Sequence, residues 1–263
     1  MISRRSIAIG SLAAASRYAA VHAQSVAVLD RGQDLHGCWI AEEDASIYLA
    51  RSVSLRQAKV TIEERVSHSA SRMLDYAFAQ ALASIGRRFE IKPGFSYIKE
   101  PENEGPNAYA TAKSIGDAPN GTVLFGLAML SSLLGRSQFG DISIMAVAAH
   151  EFGHVVALNR GLSRRLSAAP GSPFASEQFA DFMSGYYAAV RHTRDSSFPA
   201  VAFAQTMSDL GGATRGTHGT RQERGRAVLN GYQFGFQRDR SIGEAAQAGL
   251  QYAVSIASRS ASI

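Results

Sequence analysis

Between Ile144 and His154 the chain reads Ile-Met-Ala-Val-Ala-Ala-His-Glu-Phe-Gly-His. An apolar run with no helix breaker leads into two histidines four positions apart. The pattern predicts a helix over 142–159 whose middle is buried. In a helix, positions i and i+4 share a face one turn apart. His150 and His154 can then both reach one Zn²⁺ at about 2.0–2.1 Å. Glu151 is placed beside the open coordination position, where a carboxylate can take a proton from water. Two imidazoles and a carboxylate are costly to bury in an apolar helix unless something compensates them, and a metal ion does so.

A catalytic zinc keeps one position for water and takes a third ligand from the protein. The extended motif of the metzincins would place that ligand six residues after His154, but Arg160 stands there, and Ala157 replaces the expected glycine. A second candidate follows in Ser176-Glu177-Gln178-Phe179-Ala180-Asp181, on a predicted helix over 174–192 opened by Ser172-Pro173. Glu177 and Asp181 are four apart and share a face. Glu177 can complete a site of two histidines and one glutamate. Asp181 can accept the far N–H of a ligating imidazole and fix its orientation.

The pairing of His150-Glu151-x-x-His154 with Glu177-x-x-Ala180-Asp181 resembles the gluzincin metallopeptidases. Two groups are similar: the HtpX-like and CAAX-prenyl-protease-like peptidases, and the bacterial neutral zinc metallopeptidases. Asn107-Ala108-Tyr109-Ala110 resembles the edge strand of the first group, and Gly121 to Gly126 the strand before its motif helix. Glu177 to Tyr187 is similar to the second-ligand helix of the other group. Thr217-His218-Gly219, with Arg221 to Arg226 and Gly231-Tyr232, resembles that group's downstream segment. The resemblance implies zinc ligands at His150, His154 and Glu177, a general base at Glu151, and Asp181 behind a ligand. It places His218 near the site, where a donor could stabilise an oxyanion. Asn107 and Ala108 would offer backbone to an extended substrate by strand addition.

The remaining sequence supports one α+β domain, mostly helical, with a small sheet over 89–126 bordering the cleft of a zincin-like metallopeptidase. An amphipathic helix is predicted from Glu63 to Arg88 on Val66, Met73, Leu74, Ala77, Phe78, Ala81, Leu82 and Ile85, ending at Gly86 and the basic pair Arg87-Arg88. Phe89–Lys92 and Phe95–Ile98, around Pro93-Gly94, predict two short strands. Further strands are expected near 107–111 and 123–125, then a helix to Leu134. Residues 100–107 read as an acidic, Pro-rich loop. Asp141 is the expected N-cap of the motif helix and Gly161 its stop. Helices are also expected over 199–210, 220–235 and 242–258. Arg215, Arg221, Arg224 and Arg226 read as a solvated helix face.

Residues 1–23 have a basic start with Arg4-Arg5, an apolar stretch from Ser6 to Ser16, and Val21-His22-Ala23 at the end. These features predict a twin-arginine-like export signal and a periplasmic or secreted destination. Residues 24–62 carry no assignable role, and 63–263 form the predicted peptidase domain. Of the 27 Lys and Arg residues, three lie in 1–23; the remaining 24 against 22 Asp and Glu leave +2. Such a balance argues against a nucleic-acid partner. No segment after the signal has the uninterrupted apolar length of a membrane span. The single Cys38 excludes an internal disulfide framework and reads as a small apolar residue. The expected activity is hydrolysis of peptide bonds in a peptide or protein substrate. The alternative is a zinc-binding periplasmic chaperone or assembly factor of the same fold.

Overall fold

The computed structural model describes residues 39–40, 72–100, 105–214, 216–237 and 240–260. These residues belong to one unit spanning Leu35–Ile263. The expected export signal, Cys38, Val66 and most of the 24–62 segment lie outside the described residues. In chain order the elements are β1 (Trp39–Ile40), α1 (Arg72–Phe89), β2 (Gly94–Ile98), β3 (Ala108–Thr111), β4 (Thr122–Gly126), α2 (Leu127–Leu134) and α3 (Gly140–Asn159). Then follow α4 (Ser163–Ser167), α5 (Ser172–Arg194), α6 (Val201–Asp209), α7 (Arg221–Phe236) and α8 (Ile242–Ser260). The molecule is α+β, mostly helical, with one small mixed sheet.

The sheet order is β1-β3-β4-β2. β2 and β4 run parallel with Phe95 opposite Val123, while β3 and β4 run antiparallel with Ala110 opposite Val123. β1 adds two parallel pairs, Trp39 with Ala110 and Ile40 with Thr111. Every residue of β2, β3 and β4 is buried. α1 closes over the sheet through Phe78, whose ring meets Phe95 and Phe125 edge-on at 5.3 Å each. Phe89 joins α1 to α5 through Tyr186 and Tyr187.

Several local expectations are corrected. No strand forms at 89–92, because α1 continues through Gly86 to Phe89. It stops where Glu90 turns left-handed at φ 56°, and Ile91 N–H returns to the Gly86 carbonyl at 3.1 Å. That six-to-one closure ends a helix by the Schellman geometry, here without glycine at the left-handed position. Gly86 is interior because a Cβ there would lie 2.9 Å from the Ile91 carbonyl oxygen. Met73 and Ala77 sit on the outer face of α1; the buried stripe runs through Phe78, Ala79, Leu82, Ile85 and Phe89.

Asp141 is not the N-cap of α3. The cap is Phe139, left-handed at φ 57°, and Asp141 lies in the first turn, accepting from Ile142 N–H at 2.9 Å. An acid there still faces the positive end of the helix. Gly161, at φ 66°, ends α3 as expected: Leu162 N–H bonds Ala157 O at 2.8 Å, and Gly161 N–H bonds Leu158 O at 3.0 Å.

Glu100 does not project from an exposed acidic loop. Its buried carboxylate accepts Ala128 N–H at 2.9 Å and Met129 N–H at 2.7 Å. It thus supplies the cap that Gly126 lacks at the start of α2.

α3 forms the centre of the molecule. β3, β4, α1, α2, α5 and α6 all pack against it. By length and composition it could cross a bilayer, but 78% of its most apolar window is buried inside the protein, as in the core helix of a packed domain.

Candidate metal centre

The centre lies where α3 crosses α5. Each helix presents a small residue to the other at the crossing. A Cβ on Gly153 would stand 2.9 Å from Ala180 Cα and 3.2 Å from Ala180 O. On α3 the facing set is His150, Gly153 and His154; on α5 it is Glu177, Ala180 and Asp181. Both sets have i, i+3, i+4 spacing. The small residues bring the two backbones together, and the polar residues on either side of them then meet. Ser184, two turns along α5 from Glu177, donates to the Ala146 carbonyl at 2.9 Å and fixes the helices lengthwise.

Three ligand side chains converge. His150 Nε2 is 3.1 Å from Glu177 Oε2, His154 Nε2 is 3.4 Å from Glu177 Oε1, and the two Nε2 atoms are 3.2 Å apart. For a tetrahedral ion with bonds of about 2.0–2.1 Å, neighbouring ligand atoms are separated by about 3.3 Å. Each separation is close to that edge length, with His150 facing one Glu177 oxygen and His154 the other. His150, His154 and Glu177 form the metal-capable cluster among the described residues.

The far nitrogens are tied as well. His150 Nδ1 is 2.7 Å from Asp181 Oδ1, and His154 Nδ1 is 3.3 Å from Ser176 Oγ. An imidazole that donates from Nδ1 presents a lone pair at Nε2, as a ligand must. With Nδ1 as the donor on each ring, His150, His154 and Glu177 could together hold a metal ion.

All the residues of this cluster are deeply buried. His150, Glu151 and His154 are each 1% exposed, and Glu177 and Asp181 are 0%. Burial pulls the His150 imidazole down, but Asp181 and then Glu177 outweigh it, and its pKa is pushed up to about 10. Burial holds His154 below its usual value. Burial alone would raise both acids. Instead, His218 and His154 keep Glu177 well below the carboxylate range, and Arg224 with His150 keeps Asp181 below it. The charge balance of the cluster favours a cation at that point.

Two further residues meet the centre from the α6–α7 side. His218 Nε2 lies 3.8 Å from Glu177 Oε2, with 31% of its side chain exposed, and its Nδ1 is 3.0 Å from Thr217 Oγ1. Glu177 raises the His218 pKa, but burial and Arg224 outweigh that, and the imidazole is held below its usual value. Arg224 is the residue that sequence reasoning missed. It is no solvated arginine, being 3% exposed. It grips Asp181 with two bonds of 2.9 Å, Nε to Oδ2 and Nη2 to Oδ1. The signal lay in helical spacing: Arg224 shares its face with Ala227, Val228, Gly231 and Gly235, all buried, on a helix packed against α5.

Asn107 and Ala108 are placed at the start of β3, which packs on α3. Ala108 is 1% exposed, and its N–H bonds Asn107 Oδ1 at 3.0 Å. Asn107 O accepts Gly126 N–H at 3.0 Å. β4 lies along one side of β3, and β1 pairs with its other side at Ala110 and Thr111. Asn107 O is thus engaged with β4, and Ala108 N–H with the Asn107 side chain.

Neither a family model, nor a curated protein, nor a solved structure matches this chain.

Proposed function

We propose that the chain is a zinc-dependent metalloendopeptidase of the zincin-like kind. The observation that supports it most is the convergence of His150 Nε2, His154 Nε2 and a Glu177 carboxylate at tetrahedral spacing, with Glu151 on the same helix directly after His150. When bound, zinc supplies Lewis acidity, polarising a carbonyl and lowering the pKa of water towards about 7.

The chain's own residues do the rest. Asp181 orients His150, and Ser176 orients His154. Glu151 takes a proton from the attacking water at its carboxylate and passes it to the leaving amine. His218, the partly exposed member of the group, donates from Nε2 to the oxyanion as the carbonyl is attacked, a role that can contribute about 3 kcal/mol. The substrate is a peptide or protein. Residues 1–23 support an exported location through their paired arginines and short apolar stretch.

Metal analysis beside a casein-type degradation assay tests the reading. Wild type is expected to hold about one zinc per chain and to degrade the substrate. Glu151→Gln is expected to keep the metal and lose activity, whereas Glu177→Ala loses both. A fully active Glu151→Gln protein would sink the mechanism.

The burial of every ligand side chain favours a second reading, since each is at most 1% exposed to an incoming polypeptide. In that reading the chain is a zinc-binding chaperone or assembly factor of the same fold. Zinc retained without cleavage of any peptide, together with suppression of aggregation, is its signature.

A further inference from the structure

We propose that Arg224 is a positioning residue with two outputs: through Asp181 it orients His150, and through the capped first turn of α7 it holds His218 beside Glu177. The proposal rests on the metal-centre reading above.

The first output follows from the way Asp181 is held. A carboxylate that bonds a ligating imidazole with one oxygen is free to rotate unless the other is fixed. Arg224 fixes both, with its Nε on Oδ2 and its Nη2 on Oδ1 at 2.9 Å each. The planar fork of a guanidinium matches the carboxylate plane. Asp181 Oδ1 then meets His150 Nδ1 at 2.7 Å in one orientation. Arg224 Nη2 itself lies 3.5 Å from His150 Nδ1, so the three groups share one small volume. Partners of this kind behind a metal ligand change affinity by about 10- to 100-fold when lost.

The second output follows from what lies before Arg224 in the chain. Thr220 caps α7 in a reciprocal box: Glu223 N–H bonds Thr220 Oγ1 at 3.3 Å, and Thr220 N–H bonds Glu223 Oε2 at 2.8 Å. Arg224 N–H closes on the Thr220 carbonyl at 3.0 Å. The base of the preceding loop is clasped by Arg221 N–H to Gly212 O at 3.1 Å. His218 is two residues before the cap and Arg224 four after it. A capped turn therefore joins the partly exposed His218 to the buried Arg224. α7 is itself pressed onto α5, because Gly185 faces the Val228 carbonyl and Gly231 faces the Phe182 carbonyl, each with no room for a Cβ. Arg224 is the polar anchor of that helix contact at the end nearest the metal.

The test uses the full chain, with Arg224→Ala and Arg224→Lys beside wild type. Zinc affinity is read by competition with a chromophoric chelator. His218 accessibility is read from its rate of carbethoxylation in metal-loaded protein, by peptide mass. Arg224→Ala is expected to lose about 10- to 100-fold in zinc affinity, with partial rescue by added guanidinium ion. His218 is expected to react several-fold faster. If Arg224→Ala fails to fold, Arg224→Lys decides: it keeps the charge but offers no fork, so the same two changes are expected in smaller measure. In a folded variant, unchanged zinc affinity or an unchanged His218 rate overturns the proposal. Neither readout needs peptide hydrolysis. A wild type that binds zinc but cleaves nothing would therefore remove the peptidase reading and leave this test standing.

Discussion

At Gly153 a single hydrogen in place of a methyl group sets the distance between α3 and α5. Alanine there would gain about 1 kcal/mol of helix propensity. Its Cβ would meet backbone, Ala180 Cα at 2.9 Å, and backbone does not swing aside as a long side chain does. Overpacking of this kind costs about 1–3 kcal/mol and outweighs the gain. Gly153→Ala is therefore expected to lower the unfolding free energy by a net amount on the order of 1 kcal/mol, read as a lower urea midpoint, and to weaken zinc binding, because the two ligand-bearing faces part. Denaturation with and without zinc checks both. The motif residues His150, Glu151 and His154 were legible in the sequence because their chemistry depends on spacing within one helix. Glu177 and Asp181 were legible for the same reason on a second helix. Arg224 was misread because its partner Asp181 is 43 positions away, and local charge counting treats such an arginine as solvated.

At the scale of elements, helix caps carry two predictions. Thr220→Ala removes the acceptor for Glu223 N–H, and a loss of about 1 kcal/mol in unfolding free energy is expected. At α8, Ser241 and Glu244 form a second reciprocal box, with Ser241 N–H to Glu244 Oε2 at 2.9 Å and Glu244 N–H to Ser241 Oγ at 3.2 Å. The backbone N–H and the hydroxyl of Ser241, followed by Arg240, hold the Glu244 carboxyl below its ordinary 4.5. A carboxyl depressed in the folded state stabilises fully above its unfolded pKa and loses that contribution as pH falls through the folded value. The stability gap between wild type and Glu244→Gln is therefore expected to be constant near neutrality and to shrink below about pH 4.5. Thermal melts across that range measure it.

The elements themselves were largely readable. β3, β4, α3, α5, α6, α7 and α8 fall close to their expected places because helical and alternating periodicities differ clearly there. The strand expected at Phe89–Lys92 failed, since a few alternating residues also fit the last turn of a helix. α1 keeps its helical hydrogen bonds until Glu90 turns left-handed.

Across the whole molecule, a cation bound at the candidate metal centre would be a stability element. Two carboxyl groups held below their usual pKa and two imidazoles are buried together, and a bound cation would satisfy them. A ligand that binds only the folded state at 100 times its dissociation constant adds about 2.7 kcal/mol. Chelator is therefore expected to lower the unfolding temperature of wild type. Zinc should restore it, and Glu177→Ala should respond to neither. Calorimetry on dialysed protein checks this, and a wild type indifferent to chelator would argue against a resident ion.

The sequence by itself determined the candidate ligand set: which atoms could bind a metal, on which two helices, and at what spacing along each. Helical geometry repeats every few residues, so these facts are local. Only the tertiary structure decided that the two helices cross at Gly153 and Ala180, that Arg224 reaches back to Asp181, that Glu100 caps a distant helix, and that the centre is enclosed. Each of those depends on packing between segments far apart in the chain, where the shape of the contact selects the partner and no local period records it.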